Sequence, residues 1–221
     1  MWNLGNILGI IAKKILNKEQ KMNIIDISHH NSKINWLTVA SQTVPFKIDG
    51  AIIKTSTGVG SYDPRAVYNA TEAKKAGLKI GYYHYCSLNE EDELKDSTDE
   101  ANSFIKILKT LPVADLGVVL DIEDPKKIPS LDKNEVLAWI KNFFAVLEAN
   151  NYKNYVLYSY KPFLDSNLPA NHGLGNIPLW IAQYRTTLTL PVGWKTHWLW
   201  QYSDHGSVKG VIGNVDLNKT K

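Results

Sequence analysis

The stretch Leu116-Gly117-Val118-Val119-Leu120-Asp121-Ile122-Glu123-Asp124-Pro125 decides the fold. A short continuous apolar run bounded by glycine and proline reads as a buried strand, the kind found in parallel sheets covered by helices. It ends abruptly in three carboxylates followed by a proline. Side chains alternate across a strand, so Asp121 and Glu123 share one side while Ile122 takes the other. In a parallel barrel the strand ends carry the chemistry, which puts this pair where reactions are done. Taken alone, the pair also fits two solvated acids at a strand exit, and only a repeat of the pattern elsewhere lowers that reading.

The pattern does repeat. Asn23-Ile24-Ile25-Asp26-Ile27-Ser28-His29-His30 is a second apolar run ending in an acid, and Val211-Ile212-Gly213-Asn214-Val215-Asp216-Leu217-Asn218 is a third. Between them, short apolar runs alternate with helical patterns, giving expected strands at 23–28, 50–55, 79–86, 117–122, 154–159, 178–183, 197–202 and 213–217. Asp63, Pro64 and Gly77 mark the expected N-cap, first position and end of one helix. A second runs through Leu94, Ala101, Ile105 and Leu108, and a third opens on the capping box Asp132 and Glu135. After Tyr160 the connections are Pro- and Gly-rich and too short for full helices. The expected fold is therefore α/β, an irregular β/α barrel of eight strands with fewer than eight helices. First and last strands are neighbours in a closed barrel, so Asp26 and Asp216 are expected to meet. Crowded carboxylates raise the pKa of at least one member, as a general acid requires.

The 221 residues, 44% hydrophobic and 21% charged, suffice for one substantial core. Residues 1–21 stand apart as an amphipathic N-terminal extension, with Leu4, Ile7, Leu8, Ile11 and Ile15 at helical spacing. Its four lysines against Glu19 carry the whole net charge of +3, so 22–221, the expected catalytic barrel, is neutral. That balance disfavours nucleic acid as a partner and suits an uncharged polysaccharide. The extension is too short to span a bilayer; docking to a membrane surface or a protein through 1–21 stays open. Cys86 is alone and reads as core. His29, His30 and His84 lack zinc-hydrolase spacing, and adjacent histidines on a strand exit are expected to point apart, so no metal is expected. There is no GxSxG elbow and no phosphate loop.

Aromatic residues crowd the expected rim: Tyr82, Tyr83, Tyr85, Tyr158, Tyr160, Trp180, Tyr184, Trp198, Trp200 and Tyr202. Alternation sends about half of these to the core. Of the rest, Tyr83, Tyr85, Tyr158, Trp180 and Tyr184 are the expected substrate-binding rings, with Gln183 and Gln201 supplying amides that read hydroxyl and acetamido groups.

Together these motifs resemble the glycoside hydrolase family 25 lysozymes, the Chalaropsis-type muramidases of bacteria, phages and fungi. The likeness covers residues 22–218 and rests on Asp26-Ile27-Ser28-His29-His30-Asn31, Ile34-Asn35-Trp36, Ile53-Lys54-Thr55, Tyr62-Asp63-Pro64 with Asn69, Gly77 to Tyr85, Asp121-Ile122-Glu123, Leu179 to Tyr184, Trp200-Gln201-Tyr202-Ser203 and Gly213 to Asn218. The resemblance implies hydrolysis of the β-1,4 bond between N-acetylmuramic acid and N-acetylglucosamine in bacterial peptidoglycan, without a cofactor. It makes Glu123 the proton donor and places Asp26, Asp121 and Asp216 in the same site. Either the substrate's acetamido oxygen, oriented by Asp121, or a water activated by an aspartate completes the reaction. The place of action it implies is extracellular, at the cell wall, or virion-associated during host lysis if the chain is phage-encoded. A chitinase-like hydrolase and a non-catalytic glycan-binding barrel are the alternatives. Asn35 departs from the acid many members carry before the tryptophan.

Overall fold

The computed structural model describes residues 21–88, 92–127 and 131–221. Nine strands form one sheet: β1 (Asn23–Ile27), β2 (Gly50–Thr57), β3 (Ser61–Tyr62), β4 (Lys79–Tyr85), β5 (Val118–Asp121), β6 (Tyr155–Tyr160), β7 (Leu179–Ala182), β8 (Leu199–Gly206) and β9 (Val215–Thr220). Their order is β1-β9-β8-β7-β6-β5-β4-β2-β3, and β1 also pairs with β2, which closes eight of them into a barrel. β3 is a two-residue flap on the end of β2.

The strands from β1 through β2 and β4 to β8 run parallel, but β9 is antiparallel to both its neighbours. The wholly parallel arrangement expected from the apolar runs is corrected at this point. Parallel neighbours need a crossover of a dozen or more residues, and only 207–214 separate β8 from β9. Asp216 thus lies near the start of its strand rather than at its end, yet the reversal brings it to the same rim as the other acids.

Alternation divides the apolar residues into two cores. Ile24, Ile52, Leu116, Val119, Val156, Trp180 and Leu199 fill the barrel interior. Their sequence neighbours Ile25, Ile53, Leu120, Leu157 and Ile181 point outward against the helices. Ile122, fully buried in that outer core, keeps the parity of β5 going for one residue beyond its last paired position. Glu123 is therefore returned to the inner side beside Asp121.

Five α-helices cover the barrel among the described residues: α1 (Trp36–Ser41), α2 (Ala66–Lys75), α3 (Glu93–Leu108), α4 (Lys133–Ala149) and α5 (Lys161–Asn167). The capping box of α4 is present, with Asp132 accepting from the Asn134 and Glu135 amides and Glu135 returning to the Asp132 amide. Asn35 caps α1 by accepting from the Thr38 amide. The expected start of α2 shifts: Pro64 and Arg65 form a turn, the helix begins at Ala66, and Asp63 caps the turn through the Arg65 amide at 2.9 Å. α3 and α4 clamp a buried polar cluster against the sheet. His84, fully buried on the outer face of β4, bonds Ser56 Oγ at 2.8 Å and Glu100 at 2.7 Å, between the rings of Phe104 and Phe143. The amphipathic pattern of residues 1–21 falls, apart from Lys21, outside the described residues. Among the described residues no helix is long and apolar enough to cross a membrane.

Gly117 opens β5 at φ 83°, where a Cβ would collide with the Asn154 backbone oxygen, whereas Gly60, at φ 76°, has open space around it. Gly60→Ala is expected to cost about 1 kcal/mol, the strain of a left-handed backbone alone. Gly117→Ala adds a backbone collision and is expected to cost at least about 3 kcal/mol. Urea denaturation of the two variants checks the order.

Candidate active site

At the rim, β1 delivers Asp26, β5 delivers Asp121 with Glu123 just beyond it, and β9 delivers Asp216. Asp26 and Asp216 are direct cross-strand partners although they lie 190 positions apart in the sequence. Two donors converge on one oxygen of Asp26: Gln201 Nε2 at 3.0 Å and Asn218 Nδ2 at 2.7 Å. The Asn218 orientation follows from a group that can only donate, and that of Gln201 from two tyrosine hydroxyls meeting one of its amide atoms. The Trp180 indole N–H donates to Asn218 Oδ1 at 2.7 Å, and the Tyr158 and Tyr184 hydroxyls donate to Gln201 Oε1 at 3.0 and 2.9 Å. Each amide must then turn its NH₂ toward Asp26. Burial, then the nearby Asp216, push the Asp26 carboxyl well above the usual carboxylate range, and burial raises Asp216 beside it as well.

Asp121 is also buried, and its Oδ1 has no hydrogen-bond partner. Burial first, then repulsion from Glu123, raise it well above the usual range. Glu123 is raised by burial too. Both members of the pair thus hold their protons to higher pH than free carboxyls do. Opposite them, Lys54 reaches in from β2 and sets its ammonium over the rings of Tyr85, at 4.6 Å, and Tyr83, at 5.9 Å. Burial lowers its pKa, and Asp121 is the carboxylate that most opposes that shift.

The aromatic residues divide by parity. Tyr83, Tyr85, Tyr158 and Trp180 face the interior; Tyr82 faces the helices, and Trp200 and Tyr202 pack outside under Lys219. Trp198 packs at the far end of the barrel beside Met22. Among the residues expected to bind a ligand, the Tyr158 and Tyr184 hydroxyls go to Gln201 and that of Tyr85 to Asp124, and Trp180, Gln201 and Gln183 spend every side-chain polar group on internal bonds. Trp180 is 2% exposed with its N–H given to Asn218, and Gln201 is equally buried with both ends of its amide used. Gln183 closes its own loop, donating to Thr189 Oγ1 and accepting from the Thr189 amide. Tyr184, half exposed, stands at the mouth.

His29 and His30 do not point apart. β1 ends at Ile27 and they sit on a 3-10 turn (His29–Asn31), where strand alternation no longer applies and their ring centroids come within 3.9 Å. Asp63 pins that turn by accepting from the His29 amide at 2.9 Å and contacting its Nδ1 at 2.8 Å. Lys54 and Asn218 were given no role from the sequence. Each lies two residues along a strand from an inward-facing neighbour, Ile52 and Asp216, and that spacing was the available signal.

The sequence profile of glycosyl hydrolases family 25 matches residues 25–211. The chain is 31% identical over 203 residues to lysozyme M1 of Streptomyces globisporus, covering 88% of this chain and 66% of that protein. A bacterial lysozyme from Streptomyces coelicolor superposes with a TM-score of 0.78 at 28% identity, over 92% of this chain and 94% of that one. The modular autolysin LytC of Streptococcus pneumoniae, solved in complex with a synthetic peptidoglycan ligand, gives a TM-score of 0.78 at 26% identity. That match covers 93% of this chain and 48% of the autolysin. The chain thus spans just under two thirds of the length of the Streptomyces globisporus relative. With the profile running from β1 to the last turn before β9, the chain belongs to glycosyl hydrolases family 25.

Proposed function

We propose that the chain is a lysozyme acting at the bacterial cell wall, cutting the β-1,4 bond between N-acetylmuramic acid and N-acetylglucosamine in peptidoglycan. The observation that carries this reading is the Asp121 and Glu123 pair: one acid raised by burial, beside a buried carboxylate with an unpartnered oxygen. Glu123 donates its proton to the leaving glycosidic oxygen as that C–O bond breaks. Asp121 Oδ1 accepts the N–H of the substrate's acetamido group and turns its carbonyl oxygen toward the anomeric carbon, with which it forms the new bond. A water then gives a proton to the Glu123 carboxylate and its oxygen to the anomeric carbon, which reopens the ring. Asp26 and Asp216 shape the opposite wall. Tyr83, Tyr85, Tyr158 and the half-exposed Tyr184 offer rings to the sugars, while Trp180 and Gln201 hold Asn218 and Asp26 in place. Relatives named as lysozymes, and an autolysin solved with a peptidoglycan ligand, support the substrate class.

Glu123→Gln is expected to lose about 10²–10⁴-fold in cleavage of purified walls, followed as new reducing ends, and mass spectrometry of wild-type digests should show muramic acid as the newly reducing sugar. Reducing N-acetylglucosamine ends, or faster turnover of chitin oligomers, would remove the muramidase reading. The raised pKa of Glu123 sets the sign of the alkaline limb: kcat falls as pH rises through a midpoint above the usual glutamate range. Asp121→Asn is expected to lose activity yet gain stability. A carboxyl raised on folding binds its proton more tightly folded than unfolded, so its penalty is absent below the unfolded value and grows as pH rises. The variant should be more stable than wild type by about 1 kcal/mol or more at pH 7, with the gain vanishing on titration below the ordinary aspartate range. Thermal melts across pH decide this.

A further inference from the structure

Charge is divided between the two ends of the barrel. Asp26, Asp121, Glu123 and Asp216 stand at the end where the parallel strands finish. Where those strands begin, exposed lysines lead them in: Lys21 ahead of β1, Lys47 ahead of β2, Lys79 at the first position of β4, Lys153 ahead of β6 and Lys195 ahead of β8. α2 and α3 finish at this same end and bring Lys74, Lys75 and Lys109. Asp49, Asp115 and Glu72 lie among them and are taken up. Asp49 is paired with Lys47 and accepts from the Asn23 amide, Asp115 accepts from Lys74 and the Ile80 amide, and Glu72 accepts from Lys75. Lys21, Lys79, Lys153 and Lys195 have no carboxylate in ion-pair contact among the described residues. A cavity of about 810 Å³ opens on this face between Lys47, Lys79, His197 and Trp198, and Met22 lines it. The chain therefore enters the barrel from residues 1–21 at this basic end. Those residues carry four lysines against Glu19, with Leu4, Ile7, Leu8, Ile11 and Ile15 at helical spacing.

We infer that this end of the barrel, together with residues 1–21, is a docking surface for an anionic phospholipid bilayer. Residues 22–221 are neutral as a whole, so attraction to an anionic surface depends on the lysines being gathered at one end. A dissolved polyanion would satisfy those lysines but offers nothing to the apolar stripe of 1–21. A bilayer takes both, the headgroups meeting the lysines and the acyl boundary meeting the stripe. Each signal alone gives a weak hold, and the two together make an anchor. Half-buried Trp198 and Met22 stand where the two parts join, and an indole suits the headgroup level. Docked in this way, the barrel turns its acid rim away from the bilayer, toward the glycan beyond it. The charge layout and the point of attachment carry this independently of what the rim cleaves.

The test is co-sedimentation of the full chain with phosphatidylcholine vesicles containing about 30% phosphatidylglycerol, against vesicles of phosphatidylcholine alone. Binding is expected on the anionic vesicles, at least about tenfold weaker on the neutral ones, and lost when salt is raised from about 50 to about 500 mM. Lys79→Gln, Lys153→Gln and Lys195→Gln combined should weaken it by about fivefold for each lysine removed, with folding verified by thermal melts. Lys153→Gln with Lys195→Gln is the second variant if the triple one does not fold. Ile7→Asp with Ile11→Asp should weaken vesicle binding as well, while leaving any binding of soluble polyglycerol phosphate in place. A lipid with a nitroxide headgroup should quench a dye attached through Thr196→Cys, at the basic end, and not one attached through Arg185→Cys, beside the mouth; Cys86 is buried and stays unlabelled. Equal binding to neutral vesicles, binding indifferent to salt, a lysine variant that binds like wild type, or quenching at the mouth instead of the basic end would each overturn the inference. So would polyglycerol phosphate bound as tightly as the vesicles with the isoleucine variant unchanged on both, the mark of a polyanion site. A chain that docks but cleaves no wall overturns the muramidase reading alone.

Discussion

β9 is hydrogen-bonded along both edges, to β1 on one side and β8 on the other, and it runs against both. That closure removes the last free edges of the barrel. It also fixes the register that places Asp216 opposite Asp26 and Asn218 opposite both Ile24 and Gln201. The amide donors to Asp26 therefore arrive on β8 and β9 from the far end of the chain. A slip of one residue would turn Asp216 and Asn218 to the outer core and bring Val215 and Leu217 inside. The rim exists only in the register that β9 sets.

Such a rim is costly. Burying carboxylates near one another disfavours their charged forms, and the raised pKa values of Asp26, Asp121, Glu123 and Asp216 express that cost as retained protons. The outer layer opposes it with a large apolar core in which even the polar cluster of Ser56, His84 and Glu100 is satisfied, with Glu100 also receiving the Ser87 amide. The two layers use alternate residues of the same strands. The strained site and the stabilising core are therefore only one residue apart along each strand.

The fold was largely legible because its signals are local. Apolar runs marked the eight barrel strands, the Asp132 and Glu135 pair marked the start of α4, and strand parity put Asp121 and Glu123 on one side. What escaped depends on contacts distant in sequence. Nothing within Val211 to Asn218 states the direction of β9; only the shortness of the preceding connection does. His29 and His30 are expected to point apart at a strand exit, and the 3-10 turn that brings them together is held by Asp63, 34 positions away. Gln183 looked available because its partner Thr189 lies in a loop with no regular pattern. Lys54 carries no signal of its own in the sequence, since its setting over Tyr83 and Tyr85 is made by β4.

The carboxyls of the rim are of two residue types only, yet their environments separate them into distinct chemical groups. Asp26 takes two amide donors on one oxygen and lies against Asp216, so it is poorly placed to exchange a proton with a ligand. Glu123 lies one step beyond the paired part of β5, is less buried than Asp121, and sits on a longer side chain, which suits an acid that must reach a leaving oxygen. Asp121 is held at the last paired position of its strand, buried, with one acceptor unspent. A ligand donor at that acceptor relieves a desolvation cost already incurred on folding, so binding there is favoured by the same burial that destabilises the empty site.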